Sequence, residues 1–300
     1  SYGILQHRNR AFRIDAMICS CCPRKCNKPR GDGFCRIPDG VFVSRFMLHK
    51  WEEPGICGKN GTAAVFFTGC NLRCCYCQNS AISGTENFGK PVSKQHFTEE
   101  IKKLLDEGAE SVDLVSPTPY TPYLGEYLEE IKKITDKPII YNSGGYDLPE
   151  QIEVLGGFVD VFLPDFKYIS SETAKKYSLA PDYPEVAKRA IEKMLRLKPR
   201  VEINDDGIIT SGVVIRHLVL PGHRAESVET VDYVADNFPG AYMSIMSQYT
   251  PDFNNSPYKN LNRRVTSYEY DSVLSRAAER GIEGYSQLRS SSDKSYTPDF

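Results

Sequence analysis

The chain is 300 residues long, 40% hydrophobic and 25% charged, with 37 Lys and Arg against 39 Asp and Glu and a formal net charge of −2. That length is too great for a small stapled domain and suits one α/β barrel or two modest domains. No apolar run reaches the length of a membrane span and no block of one charge sign dominates, which argues against a membrane enzyme and against a general nucleic-acid binder.

The first segment, SYGILQHRNRAFRIDAM, is basic but shows no apolar stretch followed by a small-residue cleavage site, so no secretory signal is read and a cytoplasmic location is expected. All 10 cysteines lie between Cys19 and Cys77. A disulfide framework would spread along the chain, whereas such clustering in a reducing compartment points to local metal or redox chemistry. Cys19, Cys21, Cys22, Cys26 and Cys35 fall within seventeen residues, too dense a set for idle buried thiols. Zinc would staple this strand-poor segment to the rest, and an auxiliary iron–sulfur cluster would relay electrons; both suit it. Cys57, isolated in PGICGKNG, reads as an ordinary loop thiol. Residues 1–60 are taken as a Cys-rich metal-binding extension and 61–300 as the main domain with a C-terminal tail.

After the cysteines, short β-branched or aromatic runs alternate with amphipathic helical patterns, as in βα units with a parallel sheet. Strands are predicted at 63–68 (AAVFFT), 111–116 (SVDLVS), 138–142 (PIIYN), 159–163 (VDVFL), 213–220 (VVIRHLVL) and 242–247 (YMSIMS). Their nearly continuous apolar character suits strands covered on both faces. Thr98 before Glu99 and Glu100, with Gly108 at the far end, frames one helix. Thr121 as cap with Pro122 in first position opens another, whose Leu124, Tyr127, Leu128, Ile131 and Ile134 form one stripe. Segments 183–197, 225–237 and 267–280 read as helices too, with Gly281 as a stop.

These six units fall short of the eight of a closed TIM barrel, so the predicted fold is an open, partial (β/α)6 TIM-like barrel with a Cys-rich N-terminal extension. A doubly wound sheet is the alternative; in both, ligands gather at the C-terminal strand ends, where TGCNLRCCYC follows the first strand. The closing SQLRSSSDKSYTPDF reads as a polar tail packed against the barrel.

Cys70, Cys74 and Cys77 form a C-x3-C-x2-C spacing on one tight loop. Three thiolates on a four-iron cluster leave one iron open to an exogenous ligand, whereas four would complete it as in an electron-transfer ferredoxin. Structural zinc on Cys70, Cys74, Cys75 and Cys77 is the rival reading, but adjacent Cys74 and Cys75 point apart, which leaves Cys75 as a spare thiol.

The TGCNLRCCYCQN segment resembles the cluster loop of the radical S-adenosylmethionine (SAM) superfamily. With YNSGGYD, LPDFKY, RHLVLPGH and MSQYTP, the chain from Cys19 to Phe300 is similar to the branch related to pyruvate formate-lyase activating enzymes. The resemblance implies a [4Fe-4S] cluster that chelates SAM and, reduced by a donor such as flavodoxin or ferredoxin, cleaves it to methionine and a 5′-deoxyadenosyl radical. That radical abstracts hydrogen from a substrate, while the protein aims it and excludes water. The implied substrate is a protein or peptide, the glycine of a glycyl radical enzyme being one candidate; a small-molecule or peptide-modifying enzyme is the alternative. A noncatalytic iron–sulfur or zinc scaffold is the reading from a different class.

By the same resemblance, Asp165 and Lys167 would sit beside the SAM carboxylate and methionyl part, Arg216 would face the barrel interior in place of His217, and Asn142 and Ser143 would form a turn near SAM. Asn-Ser-Gly-Gly is equally plain turn chemistry. Gln248 and Tyr249 close the sixth strand, within reach of adenine or substrate, and His223 in PGH reads as a loop residue. The Gly-Gly-Glu that many activating enzymes use for the SAM amino group is replaced by Ser116-Pro-Thr-Pro-Tyr120, so Ser116, Thr118 or backbone would substitute. Cys19, Cys22, Cys26 and Cys35 match a CxxC-PxxC…GxC form of related sequences, which would hold zinc or a second iron–sulfur cluster.

Overall fold

A computed structural model describes residues 18–86, 88–254 and 256–287. Among the described residues, the extension shows an antiparallel pair, β1 (Ile18–Cys19) and β2 (Lys28–Pro29), followed by β3 (Val43–His49) and a single helical turn, α1 (Pro54–Cys57). Strand–helix units follow: β4 (Thr62–Phe67), α2 (Lys94–Asp106), β5 (Val112–Val115), α3 (Thr121–Lys132), β6 (Ile139–Ser143), α4 (Pro149–Leu155) and β7 (Val161–Pro164). Helices α5 (Ser171–Ser178) and α6 (Tyr183–Leu197) and a short β8 (Glu202–Ile203) lead to β9 (Ile209–Leu218). The order ends with α7 (Arg224–Asn237), β10 (Tyr242–Met246), α8 (Ser267–Glu279) and β11 (Gly284–Ser286).

The strands lie in the order β11-β10-β9-β7-β6-β5-β4-β3, with β8 attached to β9. Neighbours from β4 to β11 along this path pair in parallel, and β3 joins β4 antiparallel at one edge. A doubly wound sheet reverses its strand order at a switch point; here the order runs one way, as in an open barrel. The six predicted strands are β4, β5, β6, β7, β9 and β10, and β3 and β11 widen the arc. No described helix is long and apolar enough to cross a membrane.

Alternation along the strands divides two environments. Val65, Leu114, Tyr141, Phe162, Ile215 and Ile245 enter the main core, where the helices supply Phe97, Ile101, Leu124, Leu128, Ile131 and Met194. Each such side chain contributes roughly 1.5–3 kcal/mol by leaving water. Their strand neighbours Phe66, Val115, Asn142, Arg216 and Ser244 face the concave side and line a cavity.

Two helix starts differ from the sequence reading. Ser93, not Thr98, caps α2: its extended backbone lets its side chain accept from the His96 N–H, while Thr98 sits one turn inside and donates to the Lys94 carbonyl at 2.9 Å. Thr121 is the first residue of α3 and not its cap, because a 3-10 turn at Thr118–Tyr120 feeds directly into the helix. Ile134 lies beyond the end of α3 and is exposed, so the stripe ends at Ile131. Helices α4 and α5 occupy stretches that the strand pattern left unassigned. Of the tail, 288–300 lies outside the described residues.

Arginines tie the extension to the strand-end loops. Arg24 Nε donates to the Asn71 carbonyl at 2.9 Å, Arg30 Nη1 to that of Pro119 at 3.0 Å, and Arg73 Nη2 reaches back to Phe34 O at 2.9 Å. The Arg24 guanidinium also stacks 3.8 Å from the centre of the Phe34 ring.

Gly145, in the turn after β6, has φ +75°, and a Cβ there would lie 2.0 Å from the Asp165 carbonyl at the end of β7. Both the left-handed backbone and the contact exclude a side chain. Gly145→Ala is expected to cost about 2–4 kcal/mol, read as a lower urea midpoint at unchanged slope; an unaltered midpoint would show that the two strand ends are not locked together here.

Candidate active site

The cavity encloses about 270 Å³ on the concave side of the sheet. Its upper wall is the loop after β4, held by polar contacts: Arg73 Nη1 donates to the carbonyls of Cys70 at 3.1 Å and Leu72 at 3.2 Å, and Asn71 Nδ2 to that of Tyr146 at 2.8 Å. Cys70, Cys74 and Cys77 all line the cavity. Cys70 Sγ accepts from the Leu72 N–H at 3.4 Å, Cys74 Sγ from Ser178 Oγ at 3.0 Å, and Cys77 Sγ lies 3.4 Å from Ser83 Oγ. Burial pushes the Cys70 thiol up to about 12 and that of Cys74 up to about 11, so a soft metal there must displace protons as it binds. Cys75 faces elsewhere, its N–H bonded to Tyr177 O at 2.9 Å and its thiol beside Ser256.

A buried chain of charges crosses the cavity. Lys167 Nζ pairs with Asp165 Oδ2, Arg216 Nε donates to Asp165 Oδ1 at 3.0 Å, and Arg216 Nη1 to Glu52 Oε2 at 3.0 Å. Arg216 Nη2 also donates to Asn142 Oδ1, and Asn142 Nδ2 to Asp113 Oδ2 at 3.2 Å. Burial would raise the Asp165 carboxyl, but Lys167 and Arg216 outweigh it and hold it below the ordinary carboxylate range. Burial likewise works against the Lys167 and Arg216 cations, and is outweighed at Lys167 by Asp165 with Cys74 and at Arg216 by Asp165, Glu52, Glu53 and Asp113 together, so both are raised. Glu52 is raised by burial against the pull of Arg216.

Lys167, Asp165, Arg216, Asn142, Ser143, Ser116 and Gln248 thus share one cavity with the three thiols. Arg216 points inward and His217 outward, its Nδ1 2.8 Å from Phe166 O. Ser116 adopts φ +60° at the end of β5, and Gln248 Oε1 accepts from Gln287 Nε2 at 3.2 Å. Thr118 is absent from the lining: its hydroxyl donates to Asp147 Oδ1 at 2.6 Å. Asp147 also takes hydroxyls from Ser143 at 2.6 Å and Tyr141 at 2.9 Å, so Thr118 braces the turn after β6. Tyr249 is a packing residue, donating to Leu261 O at 2.6 Å. His223 lies outside the cavity between Glu226 and Tyr177.

The carboxylates missed in the sequence come from the extension. Glu52 and Glu53 line the cavity although they precede the first barrel strand. Their signal was local and weak: consecutive acids in Trp51-Glu52-Glu53-Pro54, ahead of a helical turn. The N-terminal thiols form a separate group, with Cys19 and Cys21 Sγ 3.7 Å apart, Arg30 Nη1 3.7 Å from Cys21, and Cys26 Sγ accepting from Phe34 N at 3.2 Å. Among the described residues no three His, Cys, Asp or Glu side chains converge on a single-ion position. A four-iron cluster does not require such convergence, since each of its thiolates binds a different iron.

Residues 64–234, more than half of the chain, match the family model described as the Radical SAM superfamily. An uncharacterized protein of Methanocaldococcus jannaschii is 30% identical over 275 residues, covering 88% of this chain and 75% of its own length. Among solved structures, SuiB of Streptococcus suis bound to S-adenosylmethionine superposes with a TM-score of 0.51 at 12% identity, covering 74% of this chain. This chain spans about half of SuiB, 48% of its length. The structure anSMEcpe with bound AdoMet gives a TM-score of 0.50 at 13% identity, covering 73% of this chain and 61% of that one. These two likenesses show the partial-barrel fold.

Asp165 is the counter-ion for two buried cations, so Asp165→Asn is expected to cost about 3 kcal/mol, measured by urea unfolding at neutral pH. The native contribution of Asp165 is complete above its unfolded value of about pH 4 and is lost as pH falls through its lowered native value. The substitution therefore flattens the acid limb of the stability profile; an acid limb of the original steepness would overturn the assignment.

Proposed function

From the premise that the chain belongs to the radical SAM superfamily, we propose that Cys70, Cys74 and Cys77 hold a [4Fe-4S] cluster and that SAM occupies the adjoining cavity. The observation that carries this reading is that these three thiols face one cavity while Cys75 faces away. When bound, the reduced cluster and SAM supply a 5′-deoxyadenosyl radical that abstracts hydrogen from carbon. The donor set fits, being soft thiolates with one cluster position left for an outside ligand.

Around them the chain's own groups bind and orient. Lys167 is the cation beside Cys74 and offers charge to the SAM carboxylate, with Asp165 setting its position. Asn142, Ser143, Ser116 and Gln248 contribute hydrogen bonds along the strand ends, and Arg216 fixes Asp165 and Asn142 from below. The proposed reaction is oxidoreduction on a protein or peptide, the glycine of a glycyl radical enzyme being the candidate that the motif similarity favours. It would run in the cytoplasm with a one-electron donor such as flavodoxin or ferredoxin. Residues 1–60 would form a metal-binding extension and 61–300 the barrel. Cys19, Cys22, Cys26 and Cys35 would hold zinc or a second iron–sulfur cluster, with Cys21 beside Cys19 as a competing ligand.

Anaerobic reconstitution followed by reduction with SAM present tests the reading. The unsubstituted protein is expected to form 5′-deoxyadenosine, the Cys70→Ala/Cys74→Ala/Cys77→Ala protein none, and Cys75→Ala most of the original amount. No product from a protein with an intact cluster would count against catalysis, and equal damage from Cys75→Ala would move the ligand set. Metal analysis of the triple variant addresses the extension: residual zinc indicates a staple, residual iron with sulfide a second cluster.

A further inference from the structure

The deep end of the cavity has a charge imbalance that the proposed cofactor contacts leave unused. Asp165 neutralises Lys167 and shares Arg216 with Glu52. Glu53 and Asp113 have no cation of their own. Glu53 Oε2 and Asp113 Oδ1 are buried without a hydrogen-bond partner among the described residues, in side chains whose residues are 7% and 0% exposed. A buried carboxyl with an unmet oxygen is costly, and burial raises both above the ordinary carboxylate range.

Glu53 lines the cavity; Asp113, fully buried and not itself part of the lining, lies on the same side of β5 as the cavity-lining Val115, bonded to the lining Asn142 and close enough to Glu53 to interact with its charge. Trp51, 55% exposed, belongs to the same lining. Two acids, each with one unmet oxygen, and an aromatic ring in the same lining form a receptor for a cation, since carboxylates take up the charge and a ring face attracts it on entry. Arg216 does not meet this demand, because its three nitrogens are engaged with Asp165, Glu52 and Asn142.

We propose that the substrate presents a basic group, an ammonium or guanidinium, that docks on Glu53 at the deep end of the cavity, with Asp113 adding its charge from beneath the lining. This rests on the radical SAM reading and names the substrate class for the same site. A cation placed there gives the unmet oxygens of the two acids a partner.

The test is calorimetric binding to the cluster-loaded protein with SAM, using Nα-acetyl-lysine amide and Nα-acetyl-arginine amide against the norleucine and glutamate amides. One basic probe is expected to bind about tenfold or more tightly than the norleucine amide. In Glu53→Gln and Asp113→Asn that preference should shrink toward one. The ratio is read within each protein, so a general loss of folded material does not imitate the effect. Including 1,5-diaminopentane separates a free amine from a basic side chain. Equal binding of lysine and norleucine amides, tighter binding of the glutamate amide, or no binding of either basic probe would each overturn the proposal. Formation of 5′-deoxyadenosine by the unsubstituted protein is scored in the same preparation: its absence sinks the cofactor reading, while its presence with no basic preference sinks only the substrate class.

Discussion

A guanidinium keeps its proton in any protein environment, and placing one on the concave side of a sheet commits the surrounding structure. Arg216 sits in that position, and three of the protein's segments converge on it: Asp165 from the end of β7, Asn142 from β6, and Glu52 from the extension. Desolvating an ion costs several kcal/mol unless partners replace the water. The arrangement therefore holds only when the barrel strands and the extension are both in place. Asp165 in turn holds Lys167 against the thiol-bearing loop, so the charge chain connects the deep end of the cavity to the three cysteines.

The extension is consequently part of the site. It covers the strand-end loops through Arg24 and Arg30, receives Arg73 from the cysteine loop, and supplies Glu52 and Glu53 to the cavity. β3 adds to the edge of the sheet at β4, which fixes where the two acids enter. A division of labour follows: one end of the cavity carries soft sulfur donors with a lysine, the other carries carboxyls and an arginine.

Much of this was legible beforehand because the signals are local. Near-continuous apolar runs marked six strands, and a C-x3-C-x2-C spacing marked a loop with three cysteines. The inward direction of Arg216 rests on resemblance plus strand alternation, which allows only one of two neighbours to face inward. Failures came where two residues satisfied the same local rule. Ser93 and Thr98 are both capping types, and only backbone conformation decides between them. Thr118 is a hydroxyl at a strand end, yet Asp147 claims it.

The sequence by itself determined six of the parallel strands, the helix-covered face and the clustering of three cysteines on one loop, since each depends on neighbours within one element. Only the tertiary structure decided that Glu52 and Glu53 join the cavity, where Glu52 meets Arg216 from 164 positions away along the chain. It also decided that Thr118 leaves the cavity and that Glu53 and Asp113 each keep one buried oxygen without a hydrogen-bond partner among the described residues. Such outcomes depend on the curvature of the sheet and on which loop closes over its open side. No spacing along the chain encodes that distance, because a buried charge is satisfied by whatever packing brings near it.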